Sequence, residues 1–118
     1  MMIQRRNPPH AGAWSVPGGK QRLGETLRAA ARREVREETG LKAETLQILD
    51  AGDIIEEESE GRVLYHYTLV YFVAPFPGGS PRAGDDATAL RWFTLEEGKE
   101  AGISAQLRKL MERALTVA

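Results

Sequence analysis

No cysteine occurs anywhere in the 118 residues. Disulfides, thiolate metal sites and a cysteine nucleophile are excluded, and the chain suits a reducing compartment. Histidine is almost as scarce. His66 has no second histidine beside it, which argues against an imidazole metal site. A strong charge of either sign is missing as well. The net charge is -1, so the total points to no nucleic-acid partner and no membrane surface. No apolar run reaches the length of a membrane-spanning helix, and the opening MMIQRRNPPH has no signal-peptide core. A cytoplasmic protein is expected.

What is present fits one domain over residues 1–118, large enough for a real core. MMIQRR reads as a short strand. NPPHAG and AWSVPGGK read as irregular segments punctuated by proline and glycine. From Glu25 to Thr39 the residues are good helix formers, and Gly40 is a natural stop. AETLQILDAGDIIEE reads as extended, with a polar turn at EEESEGR. VLYHYTLVYFVA is rich in β-branched and aromatic residues and apolar on both faces, so a central, doubly covered strand is expected. The Pro/Gly loop PFPGGSPRAGDD and a strand ATALRWF follow. Thr94 and Glu97 have the spacing of a capping box. SAQLRKLMERAL is an amphipathic helix with Leu107, Leu110, Met111 and Leu115 on its stripe. The fold class is α/β: a mixed β-sheet with helices packed on it.

One stretch works against itself. In RREVREETGL a helical wheel puts Glu34, Glu37 and Glu38 on one side, with small Ala30 beside them. Each like-charge pair three or four apart costs a few tenths of a kcal/mol, roughly. A hard divalent cation reverses the sign, since Mg²⁺ takes oxygen ligands and keeps waters alongside substrate phosphates. The plainer alternative is a solvated face whose glutamates pair with Arg32, Arg33 and Arg36.

Wider spacing favours the cation. Gly19 is followed after five residues by Glu25. Seven residues later comes Arg33-Glu34-Val35, then Arg36, Glu37-Glu38, Thr39 and Gly40-Leu41. The run resembles the Nudix box, G-x5-E-x7-R-E-U-x-E-E-x-G-U, at every defined position. A chance match at one starting point has a probability on the order of 10⁻¹⁰ at average residue usage. Only the 23 residues from Gly19 to Leu41 are diagnostic, although a looser similarity runs through GAWSVPGGK and DATALRW.

The resemblance implies an α/β/α sandwich and hydrolysis of a diphosphate joining a nucleoside to another group. It implies Mg²⁺ or Mn²⁺ on Glu34, Glu37 and Glu38, with the Gly19 carbonyl as a further ligand. Glu25 would support the metal site, and Arg33 would hold Glu34 or Glu25 in bidentate fashion. Glu34 or Glu37 would take the proton from water, with Asp85 or Asp86 as rivals that also read as a simple turn. Arg6 or Arg5 could touch phosphate, and Trp14 could line the nucleoside pocket or sit in the core. Tyr65, Tyr67 and Tyr71 could stack on a base, though strand aromatics are more often core.

The resemblance also exposes a gap. The family domain has a further strand before the one MMIQRR resembles, and that strand is missing here. Three explanations compete: a true short variant, a start site placed too late, or completion of the sheet by a second subunit, and a homodimer is the expectation among them. The substrate expected first is a nucleoside diphosphate derivative of the ADP-ribose type. The alternatives are a (deoxy)nucleoside triphosphate, as in MutT-like enzymes, and a non-hydrolytic nucleotide-binding module. An acidic-helix interaction protein without metal is the reading furthest from these.

Overall fold

The computed structural model describes residues 1–8 and 10–117. Pro9 of the NPPHAG loop and the terminal Ala118 lie outside the described residues.

Two antiparallel sheets and three helices make up the fold. In the first sheet β1 (Met2–Arg5) runs between β2 (Trp14–Ser15) and β5 (Ala87–Arg91). Met2, Ile3 and Ala87 are buried there, and Ile3 is only 2% exposed. The second sheet is a ribbon of two long strands, β3 (Gln47–Glu57) and β4 (Val63–Val73). The polar turn between them closes through the Glu58 N–H on the Arg62 carbonyl at 2.8 Å.

Helix α1 (Leu27–Thr39) begins two residues later than its composition predicts. Thr26 is the cap: its hydroxyl accepts the Ala29 N–H at 3.1 Å. Gly40 ends the helix at φ 72°, a left-handed conformation that glycine adopts without a side-chain penalty, and its N–H returns to the Arg36 carbonyl. The last turn would leave carbonyls unpaired. The long β4–β5 connection supplies their donors. The Arg82 N–H reaches the Thr39 carbonyl at 2.8 Å and the Gly84 N–H reaches the Glu38 carbonyl at 3.1 Å. That loop is thereby fastened to the carboxylate-bearing end of α1.

The predicted capping box forms at the start of α2 (Leu95–Glu100), with Thr94 and Glu97 each accepting from the other's N–H. Gly98 is buried where Ile103 and Met111 close over it. In α3 (Ala105–Val117) Leu110 is buried, and Arg113 ties the helix to β3 through Asp50 at 3.0 Å. Leu115 departs from the expected apolar stripe and is exposed.

Two sheet expectations need correction. The strands pair antiparallel throughout the described residues and form two sheets, where a single mixed sheet was expected. Strand β4 is also no central strand. Its one described neighbour is β3, and Val63, Leu64, Tyr65 and Tyr67 are exposed. Apolar residues on both faces report what a strand could bury. They do not report how many neighbours flank its edges.

Candidate active site

Glu25, Glu34 and Glu37 gather around one guanidinium. Arg33 donates from Nε to Glu25 Oε2 at 2.8 Å and from Nη2 to Glu25 Oε1 at 3.0 Å. Its Nη1 reaches Glu34 Oε1 at 2.7 Å and Glu37 Oε2 at 3.4 Å. Nη2 also donates to the Lys20 carbonyl at 2.9 Å. One side chain thus joins the helix to the loop before it. The fork geometry of arginine makes such multiple recognition possible. The Arg33 guanidinium holds the Glu25 carboxyl down at about 2, helped by the Arg22 N–H, while Glu25 and Glu34 raise the Arg33 pKa in turn.

Glu38 faces the Gly-Gly loop, beside Glu34. It is 2% exposed and accepts the Gly18 N–H at 3.3 Å. Burial pushes its pKa up to about 7, and the neighbouring charge of Glu34 adds to the rise. The loop passes close beside this cluster. A Cβ built on Gly19 would overlap the Glu34 carboxylate. The loop and the helix therefore meet with no side chain between them, and Gly18 and Gly19 have distinct roles: a donor to Glu38 and a close passage past Glu34.

The donor set suits a divalent cation. Glu34, Glu37 and Glu38 offer hard oxygens on one face, and Glu38 is strained electrostatically by burial beside a like charge, which a cation would relieve. Among the described residues no three acidic or histidine side chains already surround a common point. The hydrogen bonds explain this: Arg33 draws in Glu34 and Glu37, while Glu38 turns to Gly18. The solvated-face alternative does not hold, because Glu38 is buried and Glu34 is half-buried. Of its proposed partners, Arg33 is the hub, whereas Arg32 binds the Glu44 carbonyl at 2.9 Å.

The remaining sequence candidates divide. Asp86 accepts from Asn7 Nδ2 at 2.6 Å and from the Asn7 N–H at 3.2 Å, and Arg5 lies 3.7 Å away. Its carbonyl accepts the Arg6 N–H at 2.8 Å. Asp86 thus pins the loop to the end of β1. Asp85 sits in the same turn at φ 52° and is exposed. Arg6 is exposed, and Trp14 packs edge-on against Phe93 with centroids 5.2 Å apart. Sequence reasoning missed Arg22, which approaches Glu37 at 3.7 Å, and the loop carbonyl of Lys20. Their only signal was adjacency to Gly19 and Glu25. Two clefts are lined by other residues than Glu34, Glu37 and Glu38. One of about 310 Å³ runs between α2 and α3, and one of about 650 Å³ lies between Leu41 and the Pro75–Ser80 loop.

A half-buried acidic cluster organised by one arginine thus sits on a helix entered through a Gly-Gly loop. The comparisons with known proteins name the family. Residues 1–114 match the NUDIX domain, and the chain belongs to the Nudix family. It is 34% identical over 95 residues to an ADP-ribose pyrophosphatase of Methanocaldococcus jannaschii, covering 80% of this chain and 54% of that one. It is 41% identical over 99 residues to a Mycobacterium tuberculosis protein provisionally named 8-oxo-dGTP diphosphatase 2, covering 82% and 65%. The chain therefore spans between half and two thirds of the length of these relatives. A MutT NUDIX hydrolase from Burkholderia pseudomallei shares the fold at a TM-score of 0.77 and 30% identity, over 95% of this chain and 84% of that one. The NUDIX domain of Shewanella oneidensis NrtR, crystallised with ADP ribose, has a TM-score of 0.78 at 19% identity, over 98% and 74%, which speaks for the fold alone. No helix among the described residues is long and apolar enough to cross a membrane.

Proposed function

We propose that the chain hydrolyses a diphosphate bond in a nucleoside diphosphate linked to a second group, ADP-ribose-like compounds first. The observation that carries the reading is the Arg33 hub: one guanidinium fixes Glu25, Glu34 and Glu37 while Glu38 stays buried beside them. The resemblance to an ADP-ribose pyrophosphatase supports the substrate class. A (deoxy)nucleoside triphosphate is the second reading, favoured by the resemblance to the mycobacterial protein provisionally named 8-oxo-dGTP diphosphatase 2.

Glu34, Glu37 and Glu38, with the Gly19 carbonyl, would hold Mg²⁺ or Mn²⁺. When bound, such an ion neutralises diphosphate charge and lowers the pKa of water. The protein's own residues do the positioning. Glu25 anchors Arg33, and Arg33 sets the carboxylates of Glu34 and Glu37. Glu34 or Glu37 accepts the proton from the attacking water, with exposed Asp85 as the rival. Asp86 is the weaker rival because Asn7 already occupies its carboxylate.

A phosphate-release screen tests the reading. Its substrates are ADP-ribose, other nucleoside diphosphate derivatives, dinucleoside polyphosphates, coenzyme A and (d)NTPs, each with Mg²⁺ and with Mn²⁺. Hydrolysis that disappears in the Glu37→Gln, Glu38→Gln double variant is expected. Activity on none of these substrates, or activity that survives the double substitution, would sink it.

A further inference from the structure

Two tyrosines stand where a core was expected. Tyr65 and Tyr67 lie two apart on β4, on the same face, with ring centroids 5.0 Å apart and tilted by 43°. They are 44% and 42% exposed. Large aromatic surfaces left open beside one another mark a place where something apolar and flat can be received.

The surroundings say what it is. Ile54 lies directly across from Tyr67 and Gly52 directly across from Leu69, so these residues share the face. A Cβ added at Gly52 would meet nothing within 4 Å. The floor next to Tyr67 is bare, with room for a ring. Over the same tyrosine hangs Lys20, its Nζ 5.8 Å from the ring centroid. The carbonyl of that same lysine accepts from Arg33 Nη2 at 2.9 Å. A single residue therefore links the aromatic pair to the carboxylate hub. Its ammonium lies over Tyr67 while its backbone meets Arg33.

We propose that Tyr65 and Tyr67 form a stacking platform for the nucleobase of the substrate, with Lys20 spanning from the platform to the carboxylate cluster that would hold the cation. This rests on the diphosphate-hydrolase reading for the position of the phosphates. The chemistry matches part by part. A base presents a π-face to the tyrosines, and the anionic diphosphate extends past the lysine toward Glu34, Glu37 and Glu38. Stacking depends little on base identity, so purine and pyrimidine nucleotides both bind, the larger purine more tightly.

Calorimetric titration of the whole chain with ADP and with inorganic pyrophosphate, both in Mg²⁺, tests the platform without requiring turnover. Tyr67→Leu is expected to weaken ADP roughly tenfold or more. Pyrophosphate, which has no base, is expected to bind Tyr67→Leu as it binds the wild type, which also reports that the variant is folded. Tyr67→Phe keeps the ring and is expected to keep ADP affinity. Lys20→Met is expected to weaken both ligands. The proposal is overturned if Tyr67→Leu binds ADP as tightly as the wild type, if it loses ADP and pyrophosphate equally, or if the wild type binds ADP no better than pyrophosphate. The two readings fail separately. ADP binding that depends on Tyr67 in a chain that hydrolyses nothing sinks the hydrolase reading alone. Hydrolysis and ADP binding both indifferent to Tyr67→Leu sink the platform alone.

Discussion

Arg33 grips Glu25 with both arms of its guanidinium, at 2.8 and 3.0 Å, across eight residues of chain. The pair joins the loop that enters α1 to the middle of the helix, and the same arginine then reaches Glu34. Lysine cannot reproduce this fork, because an ammonium is a point charge without planar paired donors. Arg33→Lys is expected to lower kcat/KM by about 10- to 100-fold, the usual effect of removing a partner that orients metal-binding groups. Steady-state kinetics on the best substrate of the screen provides the check. A variant with wild-type kcat/KM would show that Arg33 orients nothing the reaction needs.

Glu25 supplies a pH signature of the same contact. Its carboxyl is held at about 2 in the folded protein by Arg33, below the usual carboxylate range. The unfolded chain binds this proton more readily, so the pairing favours folding above pH ~4.5 and that contribution is lost as pH falls toward ~2. Glu25→Gln is expected to flatten the acid limb of stability between those values. Denaturant titrations at pH 2.5, 3.5, 4.5 and 6 would measure it. Equal slopes in both proteins would contradict the assignment.

Glu38 has the opposite sign. Burial and Glu34 raise its carboxyl to about 7, so between pH ~4.5 and ~7 the folded chain holds a proton that the unfolded chain has lost. Stability without added metal is expected to fall as pH rises through that window. A cation needs the deprotonated carboxylate, and its binding stabilises the folded state by mass action. The rise in Tm on adding Mn²⁺ is therefore expected to grow from pH 5.5 to pH 8. Glu38→Gln should remove both the metal-free decline and most of the metal-induced rise. Thermal melts at four pH values decide this, and a metal effect independent of pH would refute it.

Asp86 was a candidate for substrate contact, and the geometry gives it another task. Its carboxylate accepts twice from Asn7, holding the β4–β5 loop against the end of β1. A typical hydrogen bond contributes ~0.5–1.5 kcal/mol to stability. Asp86→Ala is expected to lower stability by about that amount while keeping most of the activity. A loss of activity of a hundredfold or more at unchanged stability would return Asp86 to the chemistry.

These cases also mark what could be read from residue order. The helix, its stop at Gly40 and the capping box at Thr94 and Glu97 are local matters of propensity and spacing. They were legible for that reason. Arg33 was legible as a bidentate holder of Glu25 or Glu34, and it holds both residues, forking on Glu25 alone. Long-range facts were not legible. The docking of Arg82 and Gly84 on the end of α1 depends on where a 13-residue connection lands. The exposure of Tyr65 and Tyr67 depends on β4 having β3 as its one described neighbour, and an apolar run does not specify that. Strand β2, only two residues long, is too short to carry any alternation.

Two glycines separate catalysis from folding. At Gly19 a Cβ would collide with the Glu34 carboxylate, which ends a side chain and can swing aside. The cost falls on the position of a group proposed for the chemistry, so Gly19→Ala is expected to cut activity by at least about tenfold while Tm changes little. At Gly84 a Cβ would lie 2.6 Å from the Glu37 carbonyl oxygen, which is helix backbone and cannot yield without moving α1 or the loop. Relief of that clash breaks the Gly84 N–H bond to the Glu38 carbonyl. Gly84→Ala is therefore expected to lower stability by about 1–3 kcal/mol, as overpacking against rigid structure does. Activity should fall with it, because the loop and the end of α1 separate. Melting temperature and kcat/KM measured on both variants distinguish the two mechanisms. If Gly19→Ala proves the less stable of the pair, the assignment of flexible and rigid neighbours is wrong.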